Sequence, residues 1–184
     1  MAPGNLSDAI SFIARQKTPL SLQILIPLRA YPRRYTGLMS VPSTTTLRVR
    51  YAETDQMGVV YYANYLIWCE LGRVEFLRQL GFDYKSMEAE DGCMLPVVEA
   101  NCRYKSPARY DDLIRIETRV TGLRQHVIKF GYRILRAESG ELLAEAETVH
   151  VVVDAAMRKQ PMPEKYAQAI RATMTQVVPQ SALS

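Results

Sequence analysis

The stretch DQMGVVYYANY, residues 55–65, decides the fold that this sequence predicts. An aspartate comes first, then Gly58, then an apolar and aromatic run that leads into a helical pattern. Glycine at this point lets the chain turn, because it tolerates backbone conformations that other residues avoid. The order places one carboxylate in a loop that faces the free N–H groups at a helix start. A carboxylate in that position is suited to attack on an activated carbonyl.

A long amphipathic helix is predicted directly after the turn, over residues 63–80. Its apolar positions mostly recur at spacings of three and four, which puts them on one helical face: Tyr65, Leu66, Cys69, Val74, Phe76, Leu77 and Leu80. Gly81 is well placed to end this helix in a left-handed turn. A strand is predicted before the turn, over residues 44–51, where threonine, leucine, valine and arginine alternate.

The rest of the sequence reads mainly as strands. Strands are predicted over 95–104, 113–123, 127–136 and 142–154, and short helices over 84–90 and 163–173. Turn signals separate these runs, which favours antiparallel pairing through short connections. A long helix followed by such a meander buries its apolar face on one side of a curved antiparallel sheet. The predicted fold class is therefore α+β.

The positive charge of the chain belongs to its first 38 residues. They carry five basic residues against one acidic residue, which equals the net charge of +4 of the whole chain. The basic excess therefore does not indicate a nucleic-acid partner for the body of the protein. We expect a poorly ordered N-terminal extension over 1–42, one domain over 43–175 and a C-terminal tail over 176–184. Three interpretations of the extension are open. It is upstream sequence, with Met39 as the natural start of the folded unit, or a functional basic arm, or a targeting peptide.

Composition argues against several classes of protein. No apolar run approaches the ~20 residues that a membrane-spanning helix needs. The cysteines Cys69, Cys93 and Cys102 are odd in number and widely spaced, which indicates reduced thiols in a cytoplasmic protein. Neither His126 nor His150 lies beside another metal ligand in the sequence, so we expect no metal and no redox cofactor.

Residues 55–65, with the strand before them, the helix after them and the segment YKSPARYDDLIRIET at 104–118, resemble a known family. The similarity is to hotdog-fold acyl-CoA thioesterases of the 4-hydroxybenzoyl-CoA thioesterase-like family, including its Tol-Pal-associated subgroup. It covers about residues 44–171. The resemblance implies hydrolysis of acyl-CoA thioesters, with no cofactor, by a homodimer or homotetramer.

The resemblance also implies roles for individual residues. Asp55 falls at the catalytic aspartate, Gly58 at the glycine of the turn, and Tyr62 where a backbone N–H polarises the thioester carbonyl. Several relatives have a histidine near Tyr62. Asp55 could attack the carbonyl directly or activate a water molecule as a general base. The sequence leaves both routes open.

A second group of residues is expected to bind the substrate. Lys105, Ser106 and Arg109 surround a proline turn and are candidates for holding the phosphates of coenzyme A. A solvated charged loop is the other interpretation. Tyr65, with Tyr61 and Tyr62, could line an acyl pocket or belong to the core. In the family the site lies between subunits, so Lys105 and Arg109 would serve the partner's Asp55.

Other interpretations of the sequence remain open. Asp55 could be a turn or capping aspartate, and Glu53 is a weaker candidate because strand alternation would turn it away from Asp55. The whole domain could be an acyl-binding module without turnover. A hotdog dehydratase is a further alternative, but it needs an acid–base pair such as aspartate with histidine, and no histidine lies near Asp55 in the sequence.

Overall fold

The computed structural model describes residues 42–175. The predicted N-terminal extension, apart from Pro42, lies outside the described residues, and so does the predicted tail. Between them lie five strands and three α-helices. In chain order these are β1 (Ser43–Arg48), α1 (Asn64–Gln79), α2 (Tyr84–Ala89), β2 (Val97–Tyr104), β3 (Leu113–Arg124), β4 (Val127–Arg136), β5 (Leu142–Val151) and α3 (Glu164–Thr175).

The five strands form one antiparallel sheet in the order β1-β3-β4-β5-β2. This confirms the predicted α+β class. Consecutive pairing holds for β3, β4 and β5, but the prediction of a simple meander is wrong for β2. That strand pairs with β5 because the other side of β3 is occupied by β1, with Ser43 opposite Thr118. The result leaves β1 and β2 as the two edges of the sheet.

Helix α1 lies on the sheet at very short range. A Cβ atom at Gly72 would stand 2.6 Å from the Thr118 hydroxyl oxygen and 2.9 Å from a methyl carbon of Ile116. Only a residue without a side chain fits at this contact with β3. Trp68, at 1% exposure, and Phe76 fill the space on either side of it. The contact at Gly72 thus fixes the distance between α1 and the sheet.

The boundaries of α1 agree with the sequence prediction, but its burial does not. Gly81 has a φ of 85°, and its N–H bonds to the carbonyl of Arg78, so the predicted left-handed end is confirmed. Leu66, expected on the buried face, is 39% exposed, and Ile67 is 53% exposed. Helix α1 therefore has a second apolar side that the sheet of its own chain does not cover. Within residues 42–175, every helix is too short or too polar to cross a membrane.

Candidate active site

Asp55 lies at the base of a tight turn between β1 and α1. Its backbone N–H bonds to the Val59 carbonyl at 2.9 Å, and its carbonyl accepts from the Gly58 N–H at 3.0 Å. Gly58 has a φ of 71°, the left-handed conformation that the sequence led us to expect at this turn. The Oδ1 atom of Asp55 accepts from the Met57 N–H at 2.8 Å. Among residues 42–175 no donor contacts its Oδ2, so one carboxylate oxygen is fixed and the other is available.

The start of α1 carries unused hydrogen-bond donors. The N–H groups of Asn64, Tyr65 and Leu66 bond to carbonyls three residues earlier. Within the described part of the chain, the N–H groups of Tyr62 and Ala63 find no acceptor, and no side chain caps the helix. Free N–H groups at a helix start can stabilise negative charge. The donor predicted at Tyr62 is therefore unoccupied, although its catalytic role stays a prediction.

Backbone contacts hold the Asp55 turn and the helix start together. Thr54 and Val60 form a short antiparallel bridge across the turn. One residue further out on each side, the Tyr61 N–H donates to the Glu53 carbonyl at 2.9 Å. This bond links the chain just before Tyr62 to the chain just before Asp55. These bonds close the loop that carries the Asp55 carboxylate and hold it against the chain that leads into α1.

Glu53 is the residue of this region whose role sequence reasoning missed. The strand predicted over 44–51 ends at Arg48, and the chain forms a 3₁₀ turn over Tyr51–Glu53 instead. This turn directs the Glu53 side chain inward, where it is 5% exposed. Burial would raise the pKa of its carboxyl, but hydrogen bonds from Arg50 and Trp68 hold that pKa below its ordinary value. The available signal was Trp68, because a buried indole N–H usually needs an acceptor.

The segment after β2 brings Arg109 to the Asp55 turn of its own chain. The guanidinium of Arg109 donates to the Gly58 carbonyl at 3.4 Å, and the Val60 N–H donates to the Ala108 carbonyl at 2.9 Å. The Tyr65 hydroxyl accepts from the Ala108 N–H at 3.0 Å, and the Tyr65 side chain is 3% exposed. Arg109 and Tyr65 therefore both brace this segment against the turn and α1.

Lys105 and Ser106 face away from the Asp55 turn and contact β5 and the residue before it. The ammonium group of Lys105 lies 3.4 Å from a carboxylate oxygen of Glu145, and the Ser106 hydroxyl donates to Glu141. Their backbone N–H groups both bond to the Leu143 carbonyl. Their predicted part in coenzyme A binding stays a prediction, and any phosphate would compete with these two carboxylates.

The buried histidine and the cysteines are not set up for acid–base or nucleophilic work. His150 is 1% exposed, and burial lowers its pKa to about 4. Its Nδ1 donates to the Leu95 carbonyl at 2.9 Å, and its Nε2 lies 2.9 Å from the Thr148 hydroxyl. Burial also raises the pKa of the three cysteine thiols, that of Cys93 to about 11. These groups belong to the packed interior.

Comparison with known proteins agrees with this geometry. A family model described as the thioesterase-like superfamily matches residues 49–170. The acyl-CoA thioester hydrolase YbgC of Escherichia coli O6:H1 is 40% identical over 108 residues, which are 59% of this chain and 79% of YbgC. Thus a relative named as a thioester hydrolase is similar to more than half of this chain.

Solved structures give the same result. The hypothetical protein TT1821 from Thermus thermophilus superposes with a TM-score of 0.67 at 38% identity, over 71% of this chain and 98% of that protein. A 1,4-dihydroxy-2-naphthoyl-CoA thioesterase from Synechocystis, Slr0204, gives 0.65 at 29% identity, over 70% and 94%. Since the family model covers more than half of the sequence, the chain belongs to the thioesterase-like superfamily and has its hotdog fold.

Proposed function

We propose that this protein hydrolyses acyl-CoA thioesters to the free acid and CoA, with Asp55 as the catalytic carboxylate. The observation that carries the proposal is that one short segment, residues 55–63, holds both a carboxylate oxygen of Asp55 and the N–H groups of Tyr62 and Ala63, none of which has a hydrogen-bond partner among the described residues. Membership of the thioesterase-like superfamily supports this chemistry. The thioester hydrolase named among the relatives supports it further.

The proposed reaction uses the two halves of the turn in different ways. The N–H group of Tyr62 stabilises the negative charge that develops on the thioester oxygen, an effect typically worth about 10²–10³ in rate. Asp55 either attacks the carbonyl carbon to form a mixed anhydride or takes a proton from an attacking water. In both routes the carbon–sulfur bond breaks and CoA leaves as its thiolate, which then takes up a proton. In the anhydride route a water molecule next hydrolyses the anhydride, which releases the free acid and restores the Asp55 carboxylate.

Coenzyme A is proposed to bind beside the turn. Arg109 is the best placed of the predicted binding residues, because its guanidinium lies against Gly58. Lys105 and Ser106 would add charge and a hydroxyl to the same segment once they exchange their contacts with Glu145 and Glu141 for phosphate oxygens. Tyr65 would form the inner wall of an acyl site through its packing beneath the turn.

A homodimer is part of the proposal, and the exposed surface supports it. Edge strand β2 has unpaired backbone groups on one side, which favours pairing with another strand. Its Tyr104 hydroxyl donates to the Tyr62 carbonyl at 3.1 Å, so the end of β2 lies beside the first turn of α1. That turn carries the exposed Leu66 and Ile67. A dimer with its two-fold axis along this edge would bury both the β2 edge and the exposed Leu66 and Ile67.

Two finer assignments belong to the same proposal. We propose a cytoplasmic location, for which the unpaired cysteines Cys69, Cys93 and Cys102 are the support. Membership of the Tol-Pal-associated subgroup is proposed from the sequence motifs at 55–65 and 104–118.

The substitution Asp55→Asn tests the assignment of function. It keeps the shape of the side chain but removes its basicity and nucleophilicity, so kcat should fall about 10²–10⁴-fold. Thiol release would be followed across short, long and aromatic acyl-CoAs. Asp83→Asn is the matched control, because Asp83 caps α2, accepts from the Ser86 N–H and makes no contact with the turn. A folded Asp55→Asn protein with near-normal turnover would reject the proposal.

A further inference from the structure

The carboxylate of Glu53 is an internal anchor between the turn and α1. One oxygen, Oε2, accepts from the Arg50 N–H at 2.7 Å. The other, Oε1, accepts from the Trp68 indole N–H at 3.2 Å and from the Arg50 guanidinium at 3.1 Å. Trp68 lies on the buried face of α1, one turn beyond its start, and is 1% exposed. The carboxylate therefore links the chain before Asp55 to the interior of the helix.

The backbone of Glu53 makes a second link to the same helix. Its carbonyl accepts from the Tyr61 N–H at 2.9 Å and from the side-chain amide of Asn64 at 2.8 Å. Tyr61 immediately precedes Tyr62, and Asn64 is the first residue of α1. Glu53 thus bonds to Tyr61 just before the helix, to Asn64 at its first residue and to Trp68 one turn later.

From these contacts we infer that Glu53 is a positioning residue: it fixes the Asp55 turn against the start of α1, so that the Asp55 carboxylate and the free Tyr62 and Ala63 N–H groups keep their relative positions. The inference rests on the proposed thioesterase function and assigns that site a residue that does not touch the substrate. Misplacement of reacting groups by about 1 Å can cost roughly 100-fold in rate. An anchor with this many contacts is therefore expected to act on turnover.

The negative charge of Glu53 is part of the anchor. Burial disfavours the ionised carboxyl, but the Arg50 N–H, the Arg50 guanidinium and the Trp68 indole N–H all donate to it. An amide in its place would have one oxygen instead of two. Either the Arg50 N–H or the Trp68 indole N–H would then lose its acceptor. A buried donor left without an acceptor is costly, and the chain would shift to relieve it.

Glu53→Gln is the main test, with Glu75→Gln as the matched control. Glu75 lies on α1 and pairs there with Arg78, and none of its contacts reaches the turn. We expect Glu53→Gln to lower kcat about 10- to 100-fold while KM stays within about 3-fold, because substrate contacts are retained. The control should keep both constants near normal. A Glu53→Gln protein with unchanged kcat overturns the inference.

A double variant separates positioning from a general structural defect. If Glu53 acts through Asp55, Glu53→Gln should lower kcat much less in an Asp55→Asn protein than in the unmodified protein. The reason is that the catalytic carboxylate that Glu53 would position is already absent. If the two losses multiply in full, Glu53 acts independently of Asp55 and the inference fails. Thermal unfolding of each variant shows whether the fold is retained at the assay temperature.

Trp68 provides a readout that does not depend on activity. It is the single tryptophan of the chain, and its indole N–H contacts Glu53 directly. Glu53→Gln should change its emission maximum, whereas Glu75→Gln should not. If the unmodified protein hydrolyses no acyl-CoA, the proposed function fails. If it is active and Glu53→Gln is equally active, only the positioning role fails.

A shorter carboxylate covers the case in which Glu53→Gln does not fold. Glu53→Asp keeps the charge, but its side chain cannot reach both the Arg50 N–H and the Trp68 indole. We expect kcat to fall about 10-fold with KM unchanged. Full turnover in a folded Glu53→Asp protein would contradict the inference as directly as full turnover in the glutamine variant.

Discussion

The two carboxylate oxygens of Asp55 have different surroundings, so a role as a turn aspartate and the proposed catalytic role are compatible in one residue. Oδ1 accepts from the Met57 N–H, as a turn aspartate does. That bond also limits rotation of the side chain and so holds Oδ2 in one direction. A turn contact and a proposed catalytic contact therefore do not compete, because each uses its own oxygen.

A substitution at Tyr62 tests whether its backbone N–H or its side-chain hydroxyl polarises the thioester carbonyl. If the backbone N–H polarises the thioester, Tyr62→Phe should keep kcat within about 3-fold, because the change removes a hydroxyl and leaves the amide in place. Tyr61→Phe is the matched control, since the two rings are neighbours with centroids 4.5 Å apart. Steady-state kinetics on one acyl-CoA would suffice. A large loss confined to Tyr62→Phe would assign the proton donor to the hydroxyl.

Lys105 offers a prediction about substrate binding. Lys105→Ala should raise KM for acyl-CoA with a smaller effect on kcat, because it removes a charge that is proposed to bind the phosphates and not the reacting atoms. Lys129→Ala is a close control. Lys129 lies 3.6 Å from Glu147, at nearly the same exposure as Lys105 beside Glu145. Equal KM values for the two variants would exclude Lys105 from the coenzyme A site.

At the scale of elements, the contact between α1 and β3 determines how high the helix sits above the sheet. Gly72→Ala should destabilise the protein by about 1–3 kcal/mol, because the new methyl group would overlap Thr118 and Ile116. Urea unfolding would measure the change. Gly122→Ala is the control, since a Cβ there meets only Lys129 at 3.6 Å, an ordinary contact. If the two variants unfold at the same urea concentration, the close approach has no energetic role.

The elements that the sequence predicts well are those with a local signal. Periodicity located α1 to within about one residue at each end, and Gly81 marked its left-handed end because few other residues adopt that conformation. Alternation likewise located β3, and the strand predicted next, over 127–136, matches β4. These features depend on neighbouring residues alone, so one sequence is enough to find them.

The misplaced features depend on residues far apart in the chain. Strand β2 lies beside β5 because β1 already occupies the edge of β3, and no local pattern reports that competition. Glu53 points inward because a 3₁₀ turn replaces the end of a strand, which reverses the side that simple alternation assigns. Trp68 became central to the core, whereas Leu66 did not, because seating at Gly72 fixes which side of α1 faces the sheet.

At the scale of the whole molecule, the uncovered side of α1 predicts self-association. Ile67→Glu should convert a dimer to monomers, because it places a charge in the proposed interface while glutamate remains compatible with a helix. Sedimentation velocity would measure the change in mass. Thr46→Glu, an exposed position on the opposite edge strand β1, is the control. Dissociation by Thr46→Glu instead would move the interface to the other edge.

The proposed carboxylate and the proposed amide donors all lie within one short segment, residues 55–63, which closes on itself through the Thr54–Val60 bridge. The proposed catalytic groups therefore depend on one local stretch of backbone. The walls of the proposed acyl site would come from other parts of the chain and, in the proposed dimer, from a second copy. We therefore expect that substitutions outside residues 55–63 can change acyl preference while the proposed catalytic groups keep their geometry.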